Sequence, residues 1–169
     1  TSGILSGIAP VAFDGPCLSR PRALRSGFHA GKSYISMKAT FLPDRGVVKL
    51  SGDDARHFLN NLVTAELAEV KPGTARFAAL LTPQGKIVAD FLVTEAPAGH
   101  GGGLLLDCPQ SLAGPLATKL GFYKLRAKVT VENLTGQLGV LAAWDGQPAM
   151  MPDLGFIDPR NPDLGYRIL

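Results

Sequence analysis

The sequence has few cysteines, no clustered metal ligands and no long apolar run. Only two of the 169 residues are cysteine, Cys17 and Cys108, which is too few for a disulfide framework and favours a reducing compartment. No C-x-x-C pair and no Cys/His group has the spacing of a metal site. No stretch approaches the roughly 18 apolar residues that a membrane span requires. We therefore expect a protein with no metal cofactor and no membrane partner.

The basic charge excess is confined to the first 36 residues. The chain has a net charge of +3 and a sequence pI of about 9.0, but residues 1–36 hold four bases and one acid, and the rest holds 13 of each. A neutral body is weak support for nucleic-acid binding. We therefore do not expect a nucleic-acid partner from charge alone.

Residues 1–36 are rich in Gly, Ser, Pro and Arg and lack a sustained period of 2 or 3.6. Two interpretations compete. The segment is either a transit peptide, which implies the mitochondrial matrix, or upstream sequence outside the mature protein, with Met37 as the true start. The second is favoured because an organised pattern begins abruptly after Met37, and it predicts a cytoplasmic protein. Because the chain opens with Thr, we expect it to be incomplete.

One motif in this leader resembles a phosphate-binding loop. Residues 26–33 end in Gly31-Lys32-Ser33, but the P-loop pattern needs a glycine where Ser26 stands. A strand should also precede the loop, and residues 21–25 are a poor strand. Nucleotide binding is therefore not expected here.

The pattern after Met37 predicts an α+β fold. One helix is predicted after a cap at Ser51 or Gly52, with an apolar stripe at Ala55, Phe58, Leu59 and Leu62. A second helix is predicted from Ser111 to about Lys124, with Pro115 in its first turn. The strands are predicted at residues 46–50, 75–82, 86–94, 104–108, 127–132 and 137–144. The order β-α-β-β-β-α-β-β indicates an antiparallel sheet with helices on one face.

The predicted domain covers residues 37–146. Prolines and turn residues dominate from Gln147 onward, which predicts a Pro-rich linker over 147–169 that opens a further, truncated segment.

Asp90 is the residue of greatest chemical interest. In the strand from Lys86 to Val93 it shares one face with Val88 and Leu92, so its carboxylate needs hydrogen-bond donors. Two explanations stay open. The partner is either a backbone N–H or a basic side chain, or it is a ligand with paired N–H donors, such as a pterin ring.

The remaining reactive residue types give little support for catalysis. His29, His57 and His100 form no nucleophile–base grouping, and Cys108 is expected to be a buried small hydrophobe. One basic cluster is a candidate weak anion site, although a solvated helix end is the favoured reading; its members are Lys119, Lys124, Arg126 and Lys128. We expect no catalytic residue in this chain.

Three stretches resemble the YgfZ-type folate-binding family, which is related to the aminomethyltransferase (T-protein) of glycine cleavage. The first is LSGDDARHFLNNLVT from Leu50 to Thr64, and the second is KPGTARFAALLTPQGKIVAD from Lys71 to Asp90. The third, DPRNPDLGYR from Asp158 to Arg167, is similar to the stretch before the family's central segment. The resemblance covers the N-terminal part of the family, from about Ala39 to Leu169.

The resemblance implies a folate-binding accessory protein that assists iron–sulfur cluster assembly or the maturation of iron–sulfur enzymes. Tetrahydrofolate or a derivative would be the ligand, and iron–sulfur proteins would be partners. The residue implied to orient the folate is Asp90, and the strand positions lining it are Phe77, Leu92 and Thr94.

Two departures from the T-protein pattern bear on the reaction. T-proteins commonly carry tyrosines where Phe77 and Thr94 stand, and two consecutive acids where this chain has Ala89-Asp90. The family's Lys-Gly-Cys motif does not occur before the chain ends. The alternatives are a folate-dependent aminomethyltransferase and an RNA-binding module that uses the 119–128 cluster.

Overall fold

The computed structural model describes residues 37–148 and 150–169, and the leader with its P-loop-like motif and Cys17 lies outside the described residues. The strands are β1 Lys38–Phe41, β2 Arg45–Ser51, β3 Ala75–Leu81, β4 Ile87–Glu95, β5 Leu104–Pro109, β6 Thr130–Asn133, β7 Leu141–Trp144, β8 Gly155–Ile157 and β9 Tyr166–Ile168. The helices are α1 Ala55–Asn60 and α2 Gln110–Tyr123, with short 3-10 turns at Ala98–His100 and Pro162–Leu164. From β2 to β7 the elements follow the predicted order β-α-β-β-β-α-β-β, and the predicted α+β class is confirmed.

A five-stranded antiparallel sheet with the order β3-β4-β5-β2-β6 forms the larger layer. Its helix-facing side chains alternate along each strand, as in Ala89, Phe91 and Val93 of β4, and pack with buried residues of α1 and α2. Both helices therefore cover the same face, as the sequence predicted. This packing forms the main core of the described residues.

A second antiparallel sheet has the order β1-β7-β9-β8. The sequence predicted one sheet, and the difference arises at β7, which leaves the first sheet to pair with β1 and β9. A small apolar cluster joins the region to the helix-free face of the first sheet through Val47, Leu105 and Val140, with Leu154 and Leu169 packed against it.

The segment predicted as a linker, residues 147–169, contains two strands. β8 and β9 pair with each other, β9 pairs with β7, and Phe156 of β8 is fully buried. Each strand is only three residues long and is flanked by prolines and turns, so neither shows the alternation by which strands are recognised in sequence.

Both helices begin at different residues from those predicted. α1 starts at Ala55, after Asp54, whose carboxylate accepts a hydrogen bond from the Lys128 backbone N–H at 2.8 Å. Gly52, with φ +114°, lies against the Lys128 carbonyl, so a side chain there would collide with backbone. α2 starts at Gln110, which places Pro115 inside the helix rather than in its first turn.

No helix within the described residues has both the length and the apolarity needed to cross a bilayer.

Candidate functional site

The four residues expected to contact folate share one face of the five-stranded sheet. Phe77 of β3 lies directly opposite Leu92 of β4, and Asp90 and Thr94 flank Leu92 at two-residue spacing. Alternation along a strand places all four on the face that the helices do not cover. The expectation that these side chains lie together on one surface is therefore consistent with the sheet register.

The four side chains differ in accessibility. Leu92 and Thr94 are only 1% and 2% exposed, whereas Phe77 is 46% exposed and Asp90 is also exposed. The Thr94 hydroxyl donates a hydrogen bond to the Thr74 carbonyl at 2.8 Å, so its proton already has an acceptor. Asp90 and Phe77 are thus the members of this set that an incoming ligand can touch.

Asp90 lies just beyond the part of β4 that pairs with β5. Pairing between β4 and β5 begins at Leu92, which lies opposite Asp107. The same register would place Asp90 opposite Pro109, which has no N–H to donate, and the chain turns into α2 there. Across residues 37–148 and 150–169 the Asp90 carboxylate accepts no protein hydrogen bond. Its acceptor positions are open to solvent or to a ligand.

A network of buried charges lies beside Asp90, and the sequence reasoning missed it. Asp107 of β5, fully buried, accepts Arg45 Nε at 2.6 Å and Arg167 Nη1 at 3.4 Å. Asp158, also buried, accepts Arg167 Nε at 3.2 Å and Arg160 Nη2 at 2.6 Å. Arg167 of β9 therefore bridges the two sheets through two carboxylates.

Burial acts to raise the pKa of both carboxylates, but the neighbouring arginines offset it to different extents. Burial raises the pKa of Asp107, and the hydrogen bond and charge of Arg45, with the charges of Arg167 and Arg160, offset only part of that effect. Burial also acts upward on Asp158, but hydrogen bonds from the side chain and backbone of Arg160 and the nearby guanidinium charges hold its pKa below the usual value. The hydrogen bonds to Asp158 raise the pKa of Arg160 in turn.

An open pocket of about 670 Å³ adjoins the exposed ring of Phe77. Pro159, which follows the buried Asp158, lies on one side of it. The remaining lining comes from Arg76 and from the loop before β3, with Ala65, Glu66, Ala68 and Glu69. The 158–160 turn and the β3 edge thus border one cavity, which has both charged and apolar walls.

The basic cluster at the end of α2 and in the loop that follows is divided among different environments. Lys119 Nζ lies 6.0 Å from the centre of the Tyr123 ring, and Lys124 Nζ donates to the Val129 carbonyl at 3.1 Å. Arg126 and Lys128 are exposed. Lys124 thus directs one donor into the turn before β6, and a weak anion site at this cluster stays a prediction.

Cys108 is fully buried in β5, and burial raises the pKa of its thiol to about 11. The expectation of a buried small hydrophobe is confirmed. Among the described residues no group of three or more His, Cys, Asp or Glu side chains is arranged to hold a metal ion.

Comparison with known proteins assigns the family. The family model described as the GCVT N-terminal domain matches residues 44–144. The iron–sulfur cluster assembly factor IBA57 homolog of Mycosarcoma maydis, named as mitochondrial, is 31% identical over 150 residues, which cover 82% of this chain and 37% of that protein. The mitochondrial mouse factor IBA57 is 37% identical over 149 residues, covering 76% of this chain and 41% of that protein. This chain therefore spans well under half the length of these relatives.

A solved structure shows the same fold. Aminomethyltransferase T of the glycine cleavage system from Bartonella henselae superposes with a TM-score of 0.57 at 17% identity, over 71% of this chain and 35% of that one. The names of the relatives support the mitochondrial alternative for location, and they do not support the cytoplasmic expectation. The resemblance inferred from residues 50–90 is confirmed: the chain belongs to the GCVT N-terminal domain family.

Proposed function

We propose that this chain is the folate-binding part of an iron–sulfur cluster assembly factor, with Asp90 as the residue that orients the folate. The observation that carries the proposal is the exposed Asp90 carboxylate, which lacks a hydrogen-bonding partner among the described residues and shares a helix-free face with the exposed Phe77. A charged acceptor beside an apolar ring is suited to a flat heterocycle with N–H donors on one edge.

The exposed ring of this face supports the same ligand class. Phe77 lies opposite the buried Leu92, on the strand next to Asp90, and its ring is 46% exposed. A pterin ring could stack on Phe77 with its N–H donors directed at Asp90. The polar tyrosines common at positions 77 and 94 in T-proteins are absent, so apolar contact and the Asp90 carboxylate would supply most of the affinity.

The test is a calorimetric titration of 5-formyltetrahydrofolate into the chain. We expect Asp90→Asn to weaken binding by about 10- to 100-fold, because a charge-assisted pair of hydrogen bonds is lost. The matched control is Asp53→Asn, which changes an exposed carboxylate in the turn before α1. Equal affinity of Asp90→Asn and the unchanged chain would remove Asp90 from the site, and absence of binding by all three would remove the folate proposal.

The role in iron–sulfur cluster assembly rests on the relatives named as assembly factors, which match most of this chain. Its test is expression of the chain in cells depleted of their own assembly factor, followed by assay of a [4Fe–4S] enzyme. Restored enzyme activity is expected, and no restoration by a stably expressed chain would contradict the role. Mitochondrial location is proposed on the same ground and is checked by fractionating those cells.

A folate-dependent aminomethyltransferase is the second candidate. An aminomethyltransferase of Desulforamulus reducens is 34% identical over 88 residues, but this match covers only 52% of the chain. Assay of one-carbon transfer from an aminomethyl donor to tetrahydrofolate distinguishes the two candidates.

A further inference from the structure

The outer side of α2 carries large apolar side chains that the core does not use. The buried side chains of α2 are Ala113, Leu116 and Leu120, at spacings of three and four residues. Phe122 lies on the solvent side and is 74% exposed, and Tyr123 next to it is also exposed. The helix therefore has one apolar side packed in the core and a second apolar region, at its C-terminal end, that faces solvent.

Leu125, in the turn after α2, extends this apolar region. It is 87% exposed and has φ +42°, a left-handed conformation that residues with a side chain rarely adopt. Hydrogen bonds fix the turn around it: the Ala127 N–H donates to the Lys124 carbonyl at 2.7 Å, and Lys124 Nζ donates to the Val129 carbonyl at 3.1 Å. A leucine held in a strained conformation and exposed to solvent does not stabilise the fold by burial, so its apolar surface is available to a partner.

A concave surface adjoins these side chains. An open pocket of about 550 Å³ lies along α2 and is lined by Pro115, Thr118, Lys119, Phe122 and Tyr123. Lys119 Nζ lies 6.0 Å from the centre of the Tyr123 ring, so a cation lies among the apolar walls of the pocket. The pocket can therefore receive aliphatic side chains of a partner that also carries negative charge.

Gly121 keeps this part of the helix surface low. A methyl group at this position would meet no atom of the rest of the fold within 4 Å, so packing inside the chain does not require a glycine. Glycine in a helix interior is less favourable than alanine. The distance between two packed helices depends on the side chains at their contact, so a glycine here allows a partner helix to approach α2 closely.

The charge of this segment is positive. The carboxylate of Asp54 contacts it at the Lys128 backbone N–H, but within residues 37–148 and 150–169 none of its basic side chains forms an ion pair. A partner with acidic side chains beside its apolar ones would complement both the charge and the apolar surface. Residues 108–131 contain no acid and four cations, which are Lys119, Lys124, Arg126 and Lys128.

We propose that residues 115–128 form a docking surface for an acidic amphipathic helix of another protein. Aliphatic side chains on one side of that helix would contact Phe122 and Leu125 and enter the pocket along α2, and carboxylates beside them would meet Arg126 and Lys128. The surface is separate from the proposed folate site, because α2 covers the opposite face of the five-stranded sheet.

Two other partners fit this surface less well. RNA would stack its bases on flat side chains and direct its phosphates at cations, but Leu125 and Pro115 offer no stacking and Lys124 already donates to the Val129 carbonyl. An anionic membrane binds helices that have a large apolar side. The large exposed apolar side chains here are confined to the end of α2 and the turn after it.

The test is fluorescence anisotropy of a labelled synthetic peptide titrated with the whole chain. The peptide, of about 20 residues, carries leucines at i, i+3, i+4 and i+7 spacing, with glutamates and alanines at its other positions. We expect it to bind at least about tenfold more tightly than the same peptide with lysines in place of the glutamates. Phe122→Ser combined with Leu125→Ser should weaken binding of the glutamate peptide by at least about tenfold. The matched control is Met150→Ser, which removes an apolar side chain that is 84% exposed elsewhere, and it should leave binding unchanged.

A charge reversal tests the electrostatic contribution separately. Arg126→Glu combined with Lys128→Glu changes two exposed side chains, and it should bring the ratio of the two peptide affinities to one or below. Circular dichroism checks that each variant folds, and the charge reversal keeps the test valid if the serine variant does not. Titration with 5-formyltetrahydrofolate should give the same result for the variants and the unchanged chain, which separates failure of this proposal from failure of folate binding.

Three results would overturn the docking surface as proposed. The first is equal affinity of the serine variant and the unchanged chain for the glutamate peptide, or no binding of that peptide by the unchanged chain. The second is tighter binding of phosphatidylserine vesicles or of oligouridylate than of the peptide, which would assign the surface to a membrane or to RNA. The third is a dimer in sedimentation velocity that the serine variant loses, which would assign the surface to a second copy of the chain.

Discussion

The two faces of the five-stranded sheet bury different kinds of side chain. The face toward the helices is apolar along β3, β4 and β5, with Ala78, Leu80, Ala89, Phe91, Val93, Leu104, Leu106 and Cys108 all in one core. The opposite face mixes apolar residues such as Leu92 with Asp90, Asp107 and Arg45. One sheet therefore joins a uniformly apolar surface to a charged one.

The contrast indicates that one face stabilises the fold and the other is suited to binding. Apolar burial stabilises the fold without needing partners, whereas a buried carboxylate costs free energy unless it is paired and hydrogen-bonded. Asp107 and Asp158 meet that requirement through three arginines, whereas Asp90 is exposed and has no hydrogen-bonding partner among the described residues. Groups left without partners on the charged face are those suited to a ligand.

The largest expected effect separates a phenylalanine on each face. Phe91→Ala should lower the free energy of unfolding by about 3–5 kcal/mol, because the ring is 1% exposed in the helix-facing core. Phe77→Ala removes a ring that is 46% exposed on the other face, and it should cost less than about 1 kcal/mol. Urea denaturation followed by circular dichroism measures both.

Titration with 5-formyltetrahydrofolate measures the effect of the Phe77 substitution on ligand binding. Phe77→Ala should weaken 5-formyltetrahydrofolate binding although it leaves stability nearly unchanged. Similar losses of stability in the two variants would show that the helix-free face contributes to the core as much as the helix-covered face does.

A second substitution tests whether the ion pairs of the charged face hold the two sheets together. Asp158→Asn leaves Arg160 and Arg167 without their shared carboxylate, and it should lower the free energy of unfolding by about 3 kcal/mol. Asp153→Asn is the matched control, because within the described residues the one ion pair of this exposed carboxylate is with His100, at 3.3 Å, and the change should alter stability by less than about 0.5 kcal/mol. Equal denaturation midpoints for the two variants would contradict a stabilising role for the network.

The alternation along β4 predicted which side chains enter the helix-covered core, but it did not predict which side chains of the opposite face are exposed. Ala89, Phe91 and Val93 point into the helix-covered core as their spacing indicated. The same alternation put Asp90 on the opposite face, but it could not show that the carboxylate is exposed while Leu92 on the same face is buried. That difference depends on which distant segments cover the face, and local patterns do not encode it.

Local sequence patterns could not predict the ion-pair network, because its members are far apart in the sequence. Asp107 and Arg167 are 60 positions apart, and their contact requires β9 to pack beside β5. A buried acid can be recognised in a sequence when it interrupts an apolar run, as Asp107 does in Leu104-Leu105-Leu106-Asp107-Cys108. This pattern indicates that Asp107 needs a charged or hydrogen-bonding partner, but it does not indicate which residue that partner is.

The smallest expected effect is the response of the network to acid, and its sign follows from Asp158. The pKa of Asp158 in the folded chain is below its ordinary value of 3.8, so the unfolded chain takes up the proton first as pH falls. Its stabilisation is therefore present above about pH 3.8 and is lost as the pH falls through the lower folded value. Asp107, whose pKa is raised, behaves oppositely and loses its contribution as the pH rises from 3.8 through the raised value.

Urea denaturation of the unchanged chain and of Asp158→Asn at several pH values isolates the Asp158 contribution. The difference between them should stay constant from pH 7 to 5 and shrink below 3.8. A difference that instead grows as the pH falls from 7 to 5 would mean that burial outweighs the arginines at Asp158, as it does at Asp107.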